Sequence, residues 1–324
     1  MVRKLNLVQV VANVAAKWLV VVKAVLKLKN VVLMGLVKHV ANEVKWQVVV
    51  KHVDLDLAGG LGHGRQQQAA RRMVAGGAVE GDVERRRQIA AGYTVEEIEA
   101  VLAPMAEDGK EALASMGDDT PPAVLSGQYR PMSHFFRQNF SQVTNPPIDS
   151  LRETRVMSLK TRFGNLKNVL DESSTQTEIL LLESPFVANG EFAEMMKLFG
   201  DTVTQIDCTF ADGAGPEAMG EALARIRAEA EDAVRSGAGH LVLTDEGQGP
   251  DRVAMPMILA TSAVHSWLTR KGLRTFCSLN VRSAECIDPH YFAVLIGCGA
   301  TTVNPYLAQD SIQDRIERGL LTRT

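Results

Sequence analysis

Beyond about residue 171, short apolar runs alternate with stretches of helical periodicity, and this alternation narrows the fold more than any other feature of the chain. Runs at 179–182, 203–206, 241–243, 276–281 and 301–303 predict strands. Helical spacing at 191–199, 217–235 and 256–270 predicts helices between strands, and 309–318 predicts one after the last strand. In the 217–235 stretch Met219, Leu223, Ile226, Ala230 and Val234 share one face. Glu221, Arg225, Glu229 and Glu231 lie largely off it, the division that a helix laid on a sheet requires. Strands separated by helices form βαβ units and a parallel sheet. The handedness of crossovers then leaves an open doubly wound sheet or a partial βα barrel, and spacing alone does not choose between them.

Residues 1–78 do not share this pattern. Roughly a third of residues 1–57 are valine, lysine supplies most of the charge, and no acidic residue precedes Glu43. The longest uncharged stretch, 5–16, falls short of the ~20 apolar residues of a membrane span. Lys17, Lys23, Lys27 and Lys29 interrupt what would be the apolar region of a secretory signal. A basic amphipathic helix on a membrane surface is disfavoured by so many β-branched residues. The segment therefore reads as an atypical Val/Lys-rich extension, non-native or disordered, and membrane attachment is not expected. Gly59, Gly60, Gly62 and Gly64 read as a linker. Arg65 stands where a dinucleotide loop needs its third glycine, and no Gly-Lys-Ser/Thr follows.

A net charge of −3 and 5% aromatic residues exclude a globally basic nucleic-acid binder and a stacked-base reader. Cys208, Cys277, Cys286 and Cys298 form no CxxC, which suits a reducing compartment and argues against a zinc site or a disulfide scaffold. A soluble cytoplasmic protein is the expectation.

Residues 79–150 read as a helical and loop region leading into the α/β body at 151–324. Thr94-Val95-Glu96-Glu97 is a capping box that opens a helix through Ile98, Val101 and Leu102, and Pro104 is expected to end it. A long loop should follow over 104–122, then a helix over 132–142 carrying Phe135, Phe136 and Phe140.

Several groups invite chemical readings. Asp245 and Glu246 follow the apolar run 241–243, where βα folds place reactive groups. Two carboxylates there suit general acid/base work or a divalent cation, but neighbours on extended backbone point to opposite faces. Loop solvation or a helix-terminal contact is the plainer reading. Gly213-Ala214-Gly215-Pro216-Glu217-Ala218 nominally fits a relaxed dinucleotide fingerprint. Pro216 removes an amide that the pyrophosphate would need, and Glu217 puts negative charge at the anion's place. Pro216 simply starts a helix. His134, His240, His265 and His290 lack metal-ligand spacing and read as packing or surface residues. Cys298, in the tight turn Gly297-Cys298-Gly299, has no basic neighbour in sequence and reads as a buried inert thiol. In Val143-Thr144-Asn145-Pro146-Pro147 two prolines fix an extended path that presents the Thr144 hydroxyl and Asn145 amide in one direction. Such groups suit a small neutral polar molecule; the alternative is a helix stop with local hydrogen bonds.

The stretches RQIAAGYT at 87–94, PMAEDGKE at 104–111, SMGDDT at 115–120, FSQVTNPPI at 140–148 and GATTVNPYL at 299–307 occur in one order. Together they resemble the central domain of the glutamate synthase large subunit, over about 80–321. The resemblance implies an incomplete, degenerate (β/α) barrel. It also implies a three-part reaction: a glutaminase domain frees ammonia with an N-terminal cysteine, the ammonia crosses an internal tunnel, and a barrel binding FMN and an iron–sulfur cluster converts 2-oxoglutarate to glutamate. Thr144 and Asn145 correspond to the family's tunnel entrance, and Met116 to a loop that approaches the FMN domain. The family's catalytic positions do not carry over: Val2 stands near the start, no cysteine precedes Cys208, and Thr324 falls where the FMN barrel would begin. The text around Cys286-Ile287-Asp288-Pro289-His290 departs from the commoner His-His form. The expectation is thus a fragment with no catalytic residue, cofactor or metal of its own. Its partners would be the glutaminase and FMN-binding domains, with the small subunit as a further candidate. A free-standing binding protein that reuses this domain is the alternative, and an independent enzyme using Asp245 and Glu246 a third.

Overall fold

A computed structural model describes residues 83–110, 122–127, 130–137, 148–163, 170, 180–215 and 217–321. Its centre is a four-stranded parallel sheet. Strands β3 (Val203–Asp207), β5 (His240–Thr244), β7 (Ser278–Arg282) and β8 (Thr302–Asn304) lie side by side in that order. The register runs Ile206 beside Leu243, Leu243 beside Val281, and Val281 beside Val303. The helices that join them are α6 (Ala218–Arg235), α7 (Met257–Arg270) and α8 (Pro289–Gly297), and α9 (Tyr306–Glu317) follows β8.

Alternation along the strands decides which side the helices cover. Ile206, Leu241, Leu243, Leu279, Val281 and Val303 share one core with Leu223 and Ile226 of α6, Val264 and Leu268 of α7, and Val294 and Leu295 of α8. All three crossovers therefore bury their apolar stripes on the same face, and successive strands are nearest neighbours. A doubly wound sheet, by contrast, splits its helices between two faces. The sheet is open as described: β3 pairs with β5 alone, and β8 gains a single parallel bridge, Phe186 to Val303, on its outer edge.

The other face is polar. His240, Thr244, Ser278, Asn280, Thr302 and Asn304 are buried there. It is covered by Phe163 of β1 (Thr161–Phe163), by Val187, and by Phe192 and Met195 of α5 (Asn189–Phe199), which pack with Val242. Strand β1 pairs antiparallel with β2 (Leu180–Leu182). A second antiparallel ribbon, β4 (Thr209–Ala211) with β6 (Arg252–Ala254), continues from the carboxyl ends of β3 and β5.

The leading segment holds α1 (Val83–Ala90), α2 (Val95–Glu97) and α3 (Ala103–Asp108). The capping box forms as expected: Glu97 N donates to Thr94 Oγ1 at 3.0 Å, and Thr94 N to Glu97 Oε2 at 2.9 Å. Pro104 does not end the helix. Ile98–Leu102 widens into a π turn, and Pro104 falls in the first turn of the α3 that follows, so the missing amide breaks no regular ladder. The helix stops only at Gly109, at φ +62°. Of the helix expected over 132–142, the described part is a 3-10 turn, Met132–Phe136, after which Arg137 is extended; residues 138–142 lie outside the described residues. Helix α4 (Ser150–Val156) is capped by Asp149, which accepts from Arg152 N at 3.0 Å.

Three further expectations are corrected. Helix α8 has no counterpart in the sequence reading, because its face pattern is apolar nearly all round. Helix α9 starts at Tyr306, three residues before the expected 309. The run 276–281 divides into a 3-10 turn, Arg274–Phe276, and β7. Among the described residues no helix is long and apolar enough to cross a membrane.

Candidate functional site

The carboxyl ends of parallel strands collect the groups that a βα fold has available for chemistry. Here those ends gather Asp207, Thr244, Asp245, Glu246, Arg282, Ser283, Glu285, Asn304 and Tyr306. The two adjacent carboxylates part, as expected of neighbours on extended backbone. Glu246 turns toward β7 and pairs with Arg282 at 2.8 Å. Asp245 turns inward and is fully buried, accepting from Ala284 N with both oxygens at 3.0 and 2.8 Å and from the Tyr306 hydroxyl. Loop solvation is therefore wrong for Asp245, because a backbone amide from the next crossover reaches it before water can.

Burial pushes the Asp245 carboxyl up to about 7, and nearby Glu285 adds to the effect against the hydrogen bonds from Ala284 and Tyr306. Burial also raises Glu285, against hydrogen bonds from the Tyr291 hydroxyl at 2.5 Å and Met257 N at 2.9 Å. Arg282 extends between two rings, its guanidinium carbon 4.7 Å from the Phe192 centroid and 5.1 Å from that of Tyr306. Among the described residues, Arg282 Nε, Ser283 Oγ and Asn304 Oδ1 are buried with no hydrogen-bond partner.

A buried chain of side chains crosses the polar face. His240 Nδ1 and Ser278 Oγ lie 2.8 Å apart, Asn280 Nδ2 donates to Ser278 Oγ at 3.0 Å, and Thr302 Oγ1 donates to Asn280 Oδ1 at 2.8 Å. Asn304 closes the row, donating to Val187 O at 2.9 Å and to Asn189 Oδ1 at 2.8 Å. Such a row specifies strand register, since each member leaves a costly orphan if its neighbour shifts. Phe199 stacks on the His240 ring at 3.9 Å.

The remaining sequence candidates fall as follows. His134, His240 and His265 are each lowered by burial to about 4, so each is neutral at pH 7. His290 Nε2 lies 2.8 Å from Ser133 O. Among the described residues no group of His, Cys, Asp and Glu has the makings of a metal site. Burial raises the thiols of Cys208, Cys277 and Cys286, and moves Cys298 to about 11, so none is a ready nucleophile. Gly213 and Gly215 take positive φ in a turn before α6, and Pro216 lies outside the described residues. Met116, Thr144 and Asn145 also lie outside them.

Arg282, Glu285, Asn304 and Tyr306 were missed in the sequence. The available signal was position: Arg282 and Asn304 directly follow the runs 276–281 and 301–303 that predict strands, and each ends its strand.

A family model described as glutamate synthase central domain matches residues 86–324. The glutamate synthase [NADPH] large chain of Azospirillum brasilense is 65% identical over 236 residues, 73% of this chain and 16% of that protein. Ferredoxin-dependent glutamate synthase 2 of Synechocystis is 41% identical over 232 residues, 70% of this chain and 15% of that protein. The glutamate synthase [NADPH] large chain of Bacillus subtilis is 38% identical over 237 residues, 72% of this chain and 15% of that protein. The chain thus spans about a sixth of the length of the curated relatives it matches.

Proposed function

This chain belongs to the glutamate synthase central-domain family, and from that premise we propose that it is the connecting domain of a glutamate synthase. In that reading it links a part that releases ammonia from glutamine to a part that uses FMN and an iron–sulfur cluster to aminate 2-oxoglutarate. It forms a stretch of the tunnel wall and carries no reaction itself. The single observation that carries the reading is the central-domain match over residues 86–324.

The winding of the sheet supports the finer fold assignment, an incomplete (β/α) barrel, because consecutive strands adjoin and their crossovers share a face. The chemistry of the described groups supports a non-catalytic role. The cysteine thiols are raised, His240 meets the Ser278 hydroxyl only inside the buried row that fixes strand register, and the strand-end acids Asp245, Glu285 and Glu246 are committed to Ala284, Tyr291 and Arg282. Thr144 and Asn145 are the proposed tunnel-entrance residues, and Met116 the proposed approach to the FMN domain. Cytoplasmic location and contact with the glutaminase domain, the FMN domain and the small subunit belong to the same proposal.

The test uses a complete glutamate synthase containing this chain. Thr144→Val and Asn145→Ala should let glutamine hydrolysis outrun glutamate formation, while added ammonia still supports synthesis. If hydrolysis and synthesis remain fully coupled in both variants, the tunnel assignment fails.

A further inference from the structure

The leading helices meet the sheet at one junction. Tyr93, Ile98 and Leu102 pack with Ala284, Tyr306, Leu307 and Ala308 in a cluster much smaller than the main core. Within it the backbone of Ala284 is gripped from both sides: Tyr93 Oη donates to Ala284 O at 2.6 Å, and Ala284 N donates to Asp245. The rim adds Gln88 Nε2 to Ser311 Oγ at 3.0 Å, Gln248 Nε2 to Ala90 O at 3.2 Å, and an Arg87–Asp310 pair at 3.2 Å.

Asp245 occupies the middle of this junction with no cation partner among the described residues. The loop after β7 presents Glu285 and Cys286, α9 presents Tyr306, the leading segment presents Tyr93, and the β3–β4 junction presents Cys208. Tyr291 of α8 hydrogen-bonds Glu285, and Glu246 follows Asp245 in the chain. Of the arginines around them, Arg282 is held by Glu246, and Arg87, 5.6 Å from the Tyr306 centroid, is held by Glu84 and Asp310. A fully buried carboxylate with a second carboxylate beside it and no counter-ion resists ionisation; if it ionises, water must be let in. The neutral acid keeps its grip, since its carbonyl oxygen still accepts from Ala284 N.

We propose that Asp245 is a protonation-controlled latch, which fastens residues 83–108 to the carboxyl end of the sheet as the neutral acid and loosens them when it ionises. The latch works around neutral pH, because burial and Glu285 bring the Asp245 carboxyl to about 7 from an ordinary 3.8. A carboxyl raised in the folded state contributes its stability fully below the unfolded value of about 3.8 and loses it as pH rises through about 7. The small cluster opens before the main core does, as local unfolding follows the least-buried cooperative unit.

Hydrogen exchange of the full chain, read by mass spectrometry and corrected for intrinsic rates, tests the latch. From pH 6 to pH 8, peptides within 83–108 should lose about tenfold in protection relative to those of α6 and α7, the loss a single group titrating near the middle of that range produces. Asp245→Asn should hold high protection across the range. A flat wild type, or an unchanged pH dependence in Asp245→Asn, overturns the proposal. Should Asp245→Asn not fold, Glu285→Gln decides: removing the neighbouring carboxylate should move the midpoint to lower pH, and an unmoved midpoint is equally fatal.

Discussion

Gly299 turns the chain from α8 into β8 at φ +113°, and a Cβ built there would lie 2.3 Å from Cγ and Nδ1 of His265. Two costs add in Gly299→Ala. A side chain held in such a backbone region costs about 1–3 kcal/mol. The ring of His265 must also move, although its Nδ1 accepts from Arg274 Nε at 3.1 Å. Arg274 is itself fixed by Cys277 O at 2.7 Å and Gly299 O at 2.8 Å, so it does not follow the ring. Losing a hydrogen bond to a charged partner costs roughly 1.5–3 kcal/mol. The sum is on the order of 2.5–6 kcal/mol, or a fall in Tm of about 5–24 °C at 2–4 °C per kcal/mol. Gly272 is the internal control: it has φ +70° and nothing within 4 Å of a built Cβ. Gly272→Ala therefore pays only the left-handed backbone, about 1–2 kcal/mol. Thermal melts and urea titrations with matched slopes measure both. Equal losses in the two variants would refute the steric argument, as would a Gly299→Ala, His265→Ala double variant whose loss is the full sum of the single ones.

Two other perturbations follow from the same packing. At Gly247 a Cβ would come within 2.9 Å of Asp207 Oδ1, and Asp207 also binds Thr209 N at 2.9 Å and Arg252 at 2.6 Å. Both groups lie at the surface, so Gly247→Ala should cost about 0.5–1.5 kcal/mol, the net worth of one hydrogen bond that Asp207 gives up in moving, and a urea midpoint equal to wild type would contradict that. His240 is held near 4 by burial against an ordinary 6.5, so the stability it contributes is present above pH 6.5 and lost as pH falls toward 4. His240→Phe keeps the stack on Phe199 and removes the titrating ring. Urea titrations between pH 4.5 and 7.5 should show a shallower acid-side loss than in wild type.

What the sequence revealed depended on how local the cause was. Thr94 and Glu97 are three residues apart and make their hydrogen bonds to each other, so the capping box was legible as text. The α6 stripe was legible for the same reason, through periodicity. Helix α8 was not, because a sequence apolar on every side has no stripe to find; its readable signal was Asp288 before Pro289, an N-cap followed by a favoured first residue. Pro104 misled because a π turn shifted the ladder before the ring arrived. Asp245 was visible as a strand-end acid, but its partner is the amide of Ala284, 39 residues on. A backbone amide carries no residue signature, so neither its burial nor its raised carboxyl could be read from letters.

The two unlike faces of the sheet carry a consequence for how the strands find one another. Shift β5, β7 or β8 by one residue, and Asn280, Thr302 or His240 would be pressed into oil while Leu279, Val303 or Leu241 met amides and hydroxyls stripped of their partners. Misalignment is thus punished twice, once on each side. An alternating strand whose two sides demand opposite surroundings proofreads its own placement.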